Sequence, residues 1–308
     1  MPQRRESTPS PSTIRAHACT ACVRPWGACR RYGLVALAFL GAAGMAWAQS
    51  GLPDGGAFNR RDPPRISAHR IDPPAAVRRG DEADADGLVR ELNQAIRANP
   101  RDTVALRRRA EAYLAKAETA RALADYDLAI RIEPGNVELL LQRAKAAREL
   151  QDFDAAMQDF NRALALDGKN PTAFYGRALL HLHRGDHDRA IRDFDAAINL
   201  KPDYAAAFSR RGVAYAAKGE TRRALQDLDQ AVSLDRGLAE AFQHRGQIHQ
   251  GLGDLRRALA DYDMAVRLDP GNAYFLYSRG LMRRALGDET QAQSDLARAN
   301  DIEPGILP

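Results

Sequence analysis

Residues 239–272 read AEAFQHRGQIHQGLGDLRRALADYDMAVRLDPGN, and this block of 34 decides the fold. Its second half places Leu255, Ala258, Leu259, Tyr262, Ala265, Val266 and Leu268 three and four residues apart, the spacing of one buried helical face. Gly253 is suited to end a preceding helix in a left-handed conformation. Asp254 is suited to cap the next one and to oppose its dipole. Pro270 cannot continue that helix. The block therefore reads as helix, turn, helix.

Outward from it the same unit recurs. The alanine pair Ala258/Ala265 is repeated as Ala122/Ala129, Ala156/Ala163, Ala190/Ala197, Ala224/Ala231 and Ala292/Ala299, each 34 residues from the last. A fixed period of this length marks a stacked array of helical units, a fold that serves binding rather than catalysis. The repeats are 103–136, 137–170, 171–204, 205–238, 239–272 and 273–306. Numbering slots from the first residue of each, slot 4 is large and apolar, slot 8 is Ala or Gly, and Gly185, Gly219, Gly253 and Gly287 close the first helices of the last four. Prolines at 100, 134, 202, 270 and 304 keep the same clock, with Gly168 and Arg236 in the two missing beats.

Two further ladders are complete. Slot 7 is always arginine (Arg109, Arg143, Arg177, Arg211, Arg245, Arg279) and slot 23 always aspartate (Asp125, Asp159, Asp193, Asp227, Asp261, Asp295). A guanidinium fork matches a carboxylate. The ladders, Arg143, Arg177, Arg211 and Arg245 with Asp159, Asp193, Asp227 and Asp261 at their centre, are expected to clamp the helices of one unit or of adjacent units. Acid pairs such as Asp193/Asp195 recur in four of the six units, whereas a catalytic pair is needed once.

The pattern resembles the tetratricopeptide repeat family: a large apolar residue, a small one, an aromatic, a strict alanine, another aromatic, a second alanine, then proline. The fifth unit supplies Phe242, Gly246, His249, Ala258, Tyr262, Ala265 and Pro270. His249 departs from the usual aromatic, and the slot-7 arginine stands where leucine is common. The resemblance covers 103–306 and implies an all-α, right-handed superhelical solenoid of helix-turn-helix repeats whose first helices line a concave groove.

Before the array, Leu88, Val89, Leu92, Ala95 and Ile96 form one more amphipathic helix, in register with a second helix. Residues 84–102 read as a half-repeat covering one end, so the array spans 84–306. At the other end Asn300 replaces the aliphatic residue of the inner units, as an end cap requires. Residues 34–48, LVALAFLGAAGMAWA, follow Arg30-Arg31 and end in a small-x-small sequence, the layout of a secretory signal peptide over 1–48. The apolar run is short for a span. Cleavage near Ala48 is favoured over an uncleaved anchor, which would be the only membrane attachment. The long stretch before Arg30 points to a start near Val23. Residues 49–83, rich in Pro and Arg, read as a disordered linker. The expected location is exported, periplasmic or secreted.

The net charge of +5 resides in the leader. Setting aside its six arginines and one glutamate from 45 basic and 40 acidic residues leaves 39 of each. That balance argues against nucleic acid as a partner. Cys19, Cys22 and Cys29 all precede the expected cut, and no second metal-ligating pair follows. His181, His183 and His187 cluster across a helix junction and read as one packed and two solvated histidines. No nucleophile elbow, phosphate loop or dinucleotide fingerprint is present, so neither an enzyme, a metal nor a cofactor is expected.

The resemblance implies that slots 2, 5, 9, 12 and 13 face the groove. On this sequence the candidates are Arg148, Tyr175, Leu179, Ser209, Gln243, Gln247 and Tyr277. Tyrosine gives contact area at low entropic cost, and glutamine can bond an extended backbone. The expectation is a non-enzymatic scaffold or adaptor of the bacterial cell envelope that binds an extended peptide or loop of an exported protein. The family's mode of gripping a C-terminal carboxylate with Lys and Asn is disfavoured, since no first helix contains Asn. Alternatives are a structural subunit of an envelope or secretion assembly and a cell-wall binding module.

Overall fold

The computed structural model describes the backbone of residues 79–307 and side chains from 84 onward; the expected leader, the cysteines and most of the linker lie outside the described residues. Among the described residues there are thirteen α-helices and no strand: α1 Arg79–Ala98, α2 Thr103–Ala115, α3 Thr119–Ile132, α4 Val137–Glu149, α5 Phe153–Leu166, α6 Pro171–His183, α7 His187–Leu200, α8 Ala205–Ala217, α9 Thr221–Leu234, α10 Ala239–Gly251, α11 Leu255–Leu268, α12 Ala273–Ala285 and α13 Glu289–Ile302. Even-numbered helices are the first of each repeat. Each helix packs on the next, which makes an all-α solenoid of helical repeats.

The linker expectation needs one correction. Helix α1 begins at Arg79, five residues before the expected start at 84. The apolar stripe starts only at Leu88, but backbone helicity needs no stripe. No proline lies between Pro74 and Pro100 to stop the helix from extending backwards.

The paired alanines explain the close helix packing. All twelve have no exposed surface. Slot 8 is equally constrained. A Cβ on Gly246 would lie 2.8 Å from Tyr262 Cε1, and one on Gly280 would lie 2.9 Å from Leu296 Cγ. Large side chains at slot 24, including Tyr126, Phe160, Phe194, Leu228 and Tyr262, fill the space that the small residues leave, and these five are fully buried. Interiors packed at this density tolerate little added volume.

The turns show what the glycine pattern does and does not decide. Gly185, Gly219, Gly253 and Gly287 have φ between 74° and 88°. Ala117 and Gln151 occupy the same slot in the first two repeats and take φ of 55° and 62°. A side chain there costs on the order of 1–2 kcal/mol. The first two repeats adopt the turn nonetheless, because the surrounding helices dictate it.

Candidate functional site

Slot-7 arginines join three helices each. Arg143 on α4 donates from Nε and Nη2 to Asp159 on α5 at 2.7 and 2.6 Å, and from Nη1 to Asp127 on α3 at 2.6 Å. Arg211 does the same with Asp227 at 2.7 and 2.8 Å and with Asp195 of the preceding repeat at 2.6 Å. Arg245 bonds Asp261 and reaches back to Asp229 at 2.8 Å. Arg177 bonds Asp193 at 2.7 and 2.8 Å but reaches back to Asn161, not Asp, at 2.9 Å. Slot 25, the second acid of each pair, is thus the link between repeats.

The slot-23 carboxylates are buried. Bidentate, charge-assisted bonds compensate their desolvation. The bonds to Asp159 and then to Asp127 raise the pKa of Arg143 despite its burial. For Arg211 burial pulls downward, and the bonds to Asp227 and Asp195 more than offset it. Arg177, Arg211 and Arg245 also lie over the rings of Phe174, Phe208 and Phe242 at 5.3–5.7 Å from the centroids. In the sixth repeat Arg283 joins Arg279 on Asp295 at 2.8 Å, replacing the slot-11 aromatic with a second cation. These bonds commit all three nitrogens of each slot-7 arginine to the framework, each Nη keeping one further N–H.

First helices of neighbouring repeats also touch one another. Helix α4 meets α6, α6 meets α8 and α8 meets α10, while no two second helices make a comparable contact. First helices from α4 to α10 therefore form one wall, which the bonds of Gln243 to Ser278 and Gln247 to Tyr274 extend to α12. Tyr175 and Leu179 on α6, Gln247 on α10, Tyr277 on α12 and Arg148 on α4 are half-buried on these helices. Tyr175 leans on Tyr204 and Phe194, with ring centroids 5.0 and 5.9 Å away.

Two candidates are buried between first helices. Ser209 and Gln243 are each 2% exposed. Ser209 Oγ lies 3.2 Å from His244 Nδ1, and Gln243 Nε2 donates to Ser278 Oγ at 3.0 Å. Slot 5 of one first helix meets slot 6 of the next across these bonds. Leu141, also at slot 5, is 3% exposed in the apolar version of the same seam. Gln247 Nε2 donates to Tyr274 Oη at 2.7 Å, and burial pushes the Tyr274 hydroxyl pKa up. The wall of the last three repeats thus carries a seam of Ser, His, Gln and Tyr. The sequence pattern could not show it, because slot spacing says nothing of how closely neighbouring first helices approach.

The histidines need a second correction. His181 is packed, with Nε2 3.9 Å from Asp193 Oδ2. The expected solvated pair is half-buried: the His183 ring lies 4.1 Å from that of Phe153, and His187 Nδ1 is buried. Burial lowers the pKa of all three. His183 ends α6 and His187 begins α7, so they lie on different helices. Among the described residues no group of His, Cys, Asp and Glu is arranged to hold a metal. Nor is any described helix long and apolar enough to cross a membrane.

A tetratricopeptide repeat family model matches residues 141–204, 184–239 and 245–302. Among solved structures, a tetratricopeptide repeat protein from Parabacteroides merdae is similar at 20% identity, covering 74% of this chain and 90% of that one with a TM-score of 0.63. The Cut9–Hcn1 hetero-tetramer of APC/C is similar at 14% identity over 74% of this chain and 45% of that one, with a TM-score of 0.66. A thermophilic repeat protein of Thermus thermophilus matches at 23% identity over 56% and 94%, with a TM-score of 0.50. At these identities the likeness is one of fold. No curated protein matches the chain.

Proposed function

The chain belongs to the tetratricopeptide repeat family, and from that membership and the layout of its first-helix wall we propose that it is a non-enzymatic scaffold that binds an extended segment of another protein. The observation that carries this reading is a division of labour. Repeated ionic groups face inward and are consumed by the framework, while Tyr175, Leu179, Gln247 and Tyr277 stay half-exposed on the helices that touch each other. Tyr175 is backed by the Tyr204 and Phe194 rings, and a rigid aromatic anchor loses little entropy on binding. Gln247 already holds Tyr274, so its amide is oriented before a partner arrives.

The leader-like layout of residues 1–48 supports an exported protein acting in the bacterial cell envelope, with an exported partner. N-terminal sequencing of the protein recovered from fractionated cells tests the location: a mature start after Ala48 in the periplasmic or secreted fraction is expected, and an intact leader in the cytoplasm would contradict it. For the binding wall, the test is affinity capture from the same fraction. Tyr175→Ala with Tyr277→Ala should lose the partner that the wild-type protein retains, while Arg148→Glu should weaken capture less. Retention of every partner by the double variant would refute the wall as the binding surface.

A further inference from the structure

Of the five junctions between full repeats, one differs from the other four in charge. The slot-25 residue that receives the next arginine is Asp127, Asp195, Asp229 and Asp263 elsewhere along the array, but Asn161 between the second and third repeats. Beside it, between α5, α6 and α7, lies a cavity of about 450 Å³ lined by Arg177, Arg184, Arg189, Arg192, Asn161 and Asp193 among others. Slot 22 holds arginine in this repeat alone; the others have Ala124, Gln158, Gln226, Ala260 and Ser294. Asn93 gives the first junction the same neutral acceptor, but that junction has Ala124 in place of the extra arginine.

The cations here are undercompensated. Asp193 is shared with the internal staple. Arg184 pairs with Asp154, whose side chain is 87% exposed, and Arg189 lies 3.3 Å from Asp186 with its own side chain 64% exposed. Exposed pairs of this kind hold their partners weakly. Arg192 makes no hydrogen bond or close ion pair with any described residue and is felt only at longer range by Asp188, which Lys218 already holds. We propose that the cavity between α5, α6 and α7 is an oxyanion site, taking a phosphate group beside Asn161 where other junctions carry an aspartate of their own. Guanidinium forks from α6 with its C-cap and from α7 match the acceptor geometry of phosphate. At about 100° per residue, Arg177 and Arg184 lie on the side of α6 away from Tyr175 and Leu179. The site is therefore independent of the binding wall.

The test is the thermal midpoint of the full chain in inorganic phosphate against chloride at matched ionic strength. Phosphate should raise the midpoint of the wild type. Asn161→Asp supplies an internal carboxylate to Arg177, so it should raise the midpoint in chloride and abolish the further rise with phosphate. Arg192→Gln should leave the fold intact by circular dichroism and weaken phosphate affinity at least about tenfold, the loss of one charge-assisted bond. A phosphoserine peptide that binds more tightly than inorganic phosphate would identify the phosphate as part of a protein ligand, and equal affinity would identify a free anion. Tyr175→Ala with Tyr277→Ala should not alter the phosphate response. The proposal is overturned if wild type responds to phosphate as to chloride, or if Asn161→Asp or Arg192→Gln responds as wild type does.

Discussion

The first two repeats and the fourth and fifth build the same helical frame from different local materials. Repeats one and two cap their first helices well: Asp102 and Asn136 accept from Ala105 and Leu139 backbone N–H groups. They turn badly, with Ala117 and Gln151 forced to positive φ. Repeats four and five do the reverse. Gly219 and Gly253 turn without strain, but Tyr204 and Leu238 provide no side-chain cap. Their seams differ too. Leu139, Leu140 and Leu141 make the early one apolar, while Ser209, His244, Gln243 and Ser278 make the later one polar. Caps, turns and seams are thus interchangeable. The arginine staple and the buried alanines are the parts that both regions share.

If that is right, the largest effect comes from the shared part. Arg211→Leu leaves Asp227 buried beside no cation and removes the link to Asp195, and it should destabilise its junction by about 3–5 kcal/mol. Urea unfolding with hydrogen exchange read at α8 and α9 measures this, because a repeat array need not unfold as one unit. An unchanged midpoint for both Arg211→Leu and Asp227→Asn would remove the staple from the account.

Local features should move stability less, and in opposite directions in the two regions. Gln151→Gly should stabilise the second repeat by about 1 kcal/mol, and Gly253→Ala should destabilise the fifth by a similar amount. Asn136→Ala should cost about 1 kcal/mol through the lost cap. Equal responses to glycine at both turns would mean that the observed φ values carry no strain.

The smallest effect lies in the third repeat, between the two regions. Burial lowers the pKa of His181, His183 and His187 below the ordinary histidine value. As pH falls through about 6.5 the unfolded chain takes up protons before the folded one does, so stability is lost from there downward through the folded values. The thermal midpoint should fall between pH 7 and pH 5 by more in the wild type than in the variant with all three changed to Gln. Equal falls would assign the loss to other groups.

The frame was legible from periodicity alone. Ala258/Ala265, Gly246 and the two charge ladders carry it because each has one structural duty repeated at every unit. The wall was legible only in part. Tyr175, Leu179, Gln247 and Tyr277 lie half-exposed on the first helices, but Ser209 and Gln243 are spent in the seam. Polarity at a groove slot reads the same whether the side chain meets solvent or the next helix. The oxyanion cavity was missed for a related reason. A single Asn161 in a ladder of aspartates looks like a conservative exchange until the charges around it are placed.

The account rests on recognition at the first-helix wall. Its most direct test is a photo-crosslinking amino acid placed singly at Tyr175, Gln247 and Tyr277, and for contrast at Arg222 and Arg256 on the exposed surface of α9 and α11, followed by mass spectrometry from intact cells. The account predicts one common protein adduct from the wall positions and none from Arg222 or Arg256. Adducts from the second-helix positions alone would contradict it.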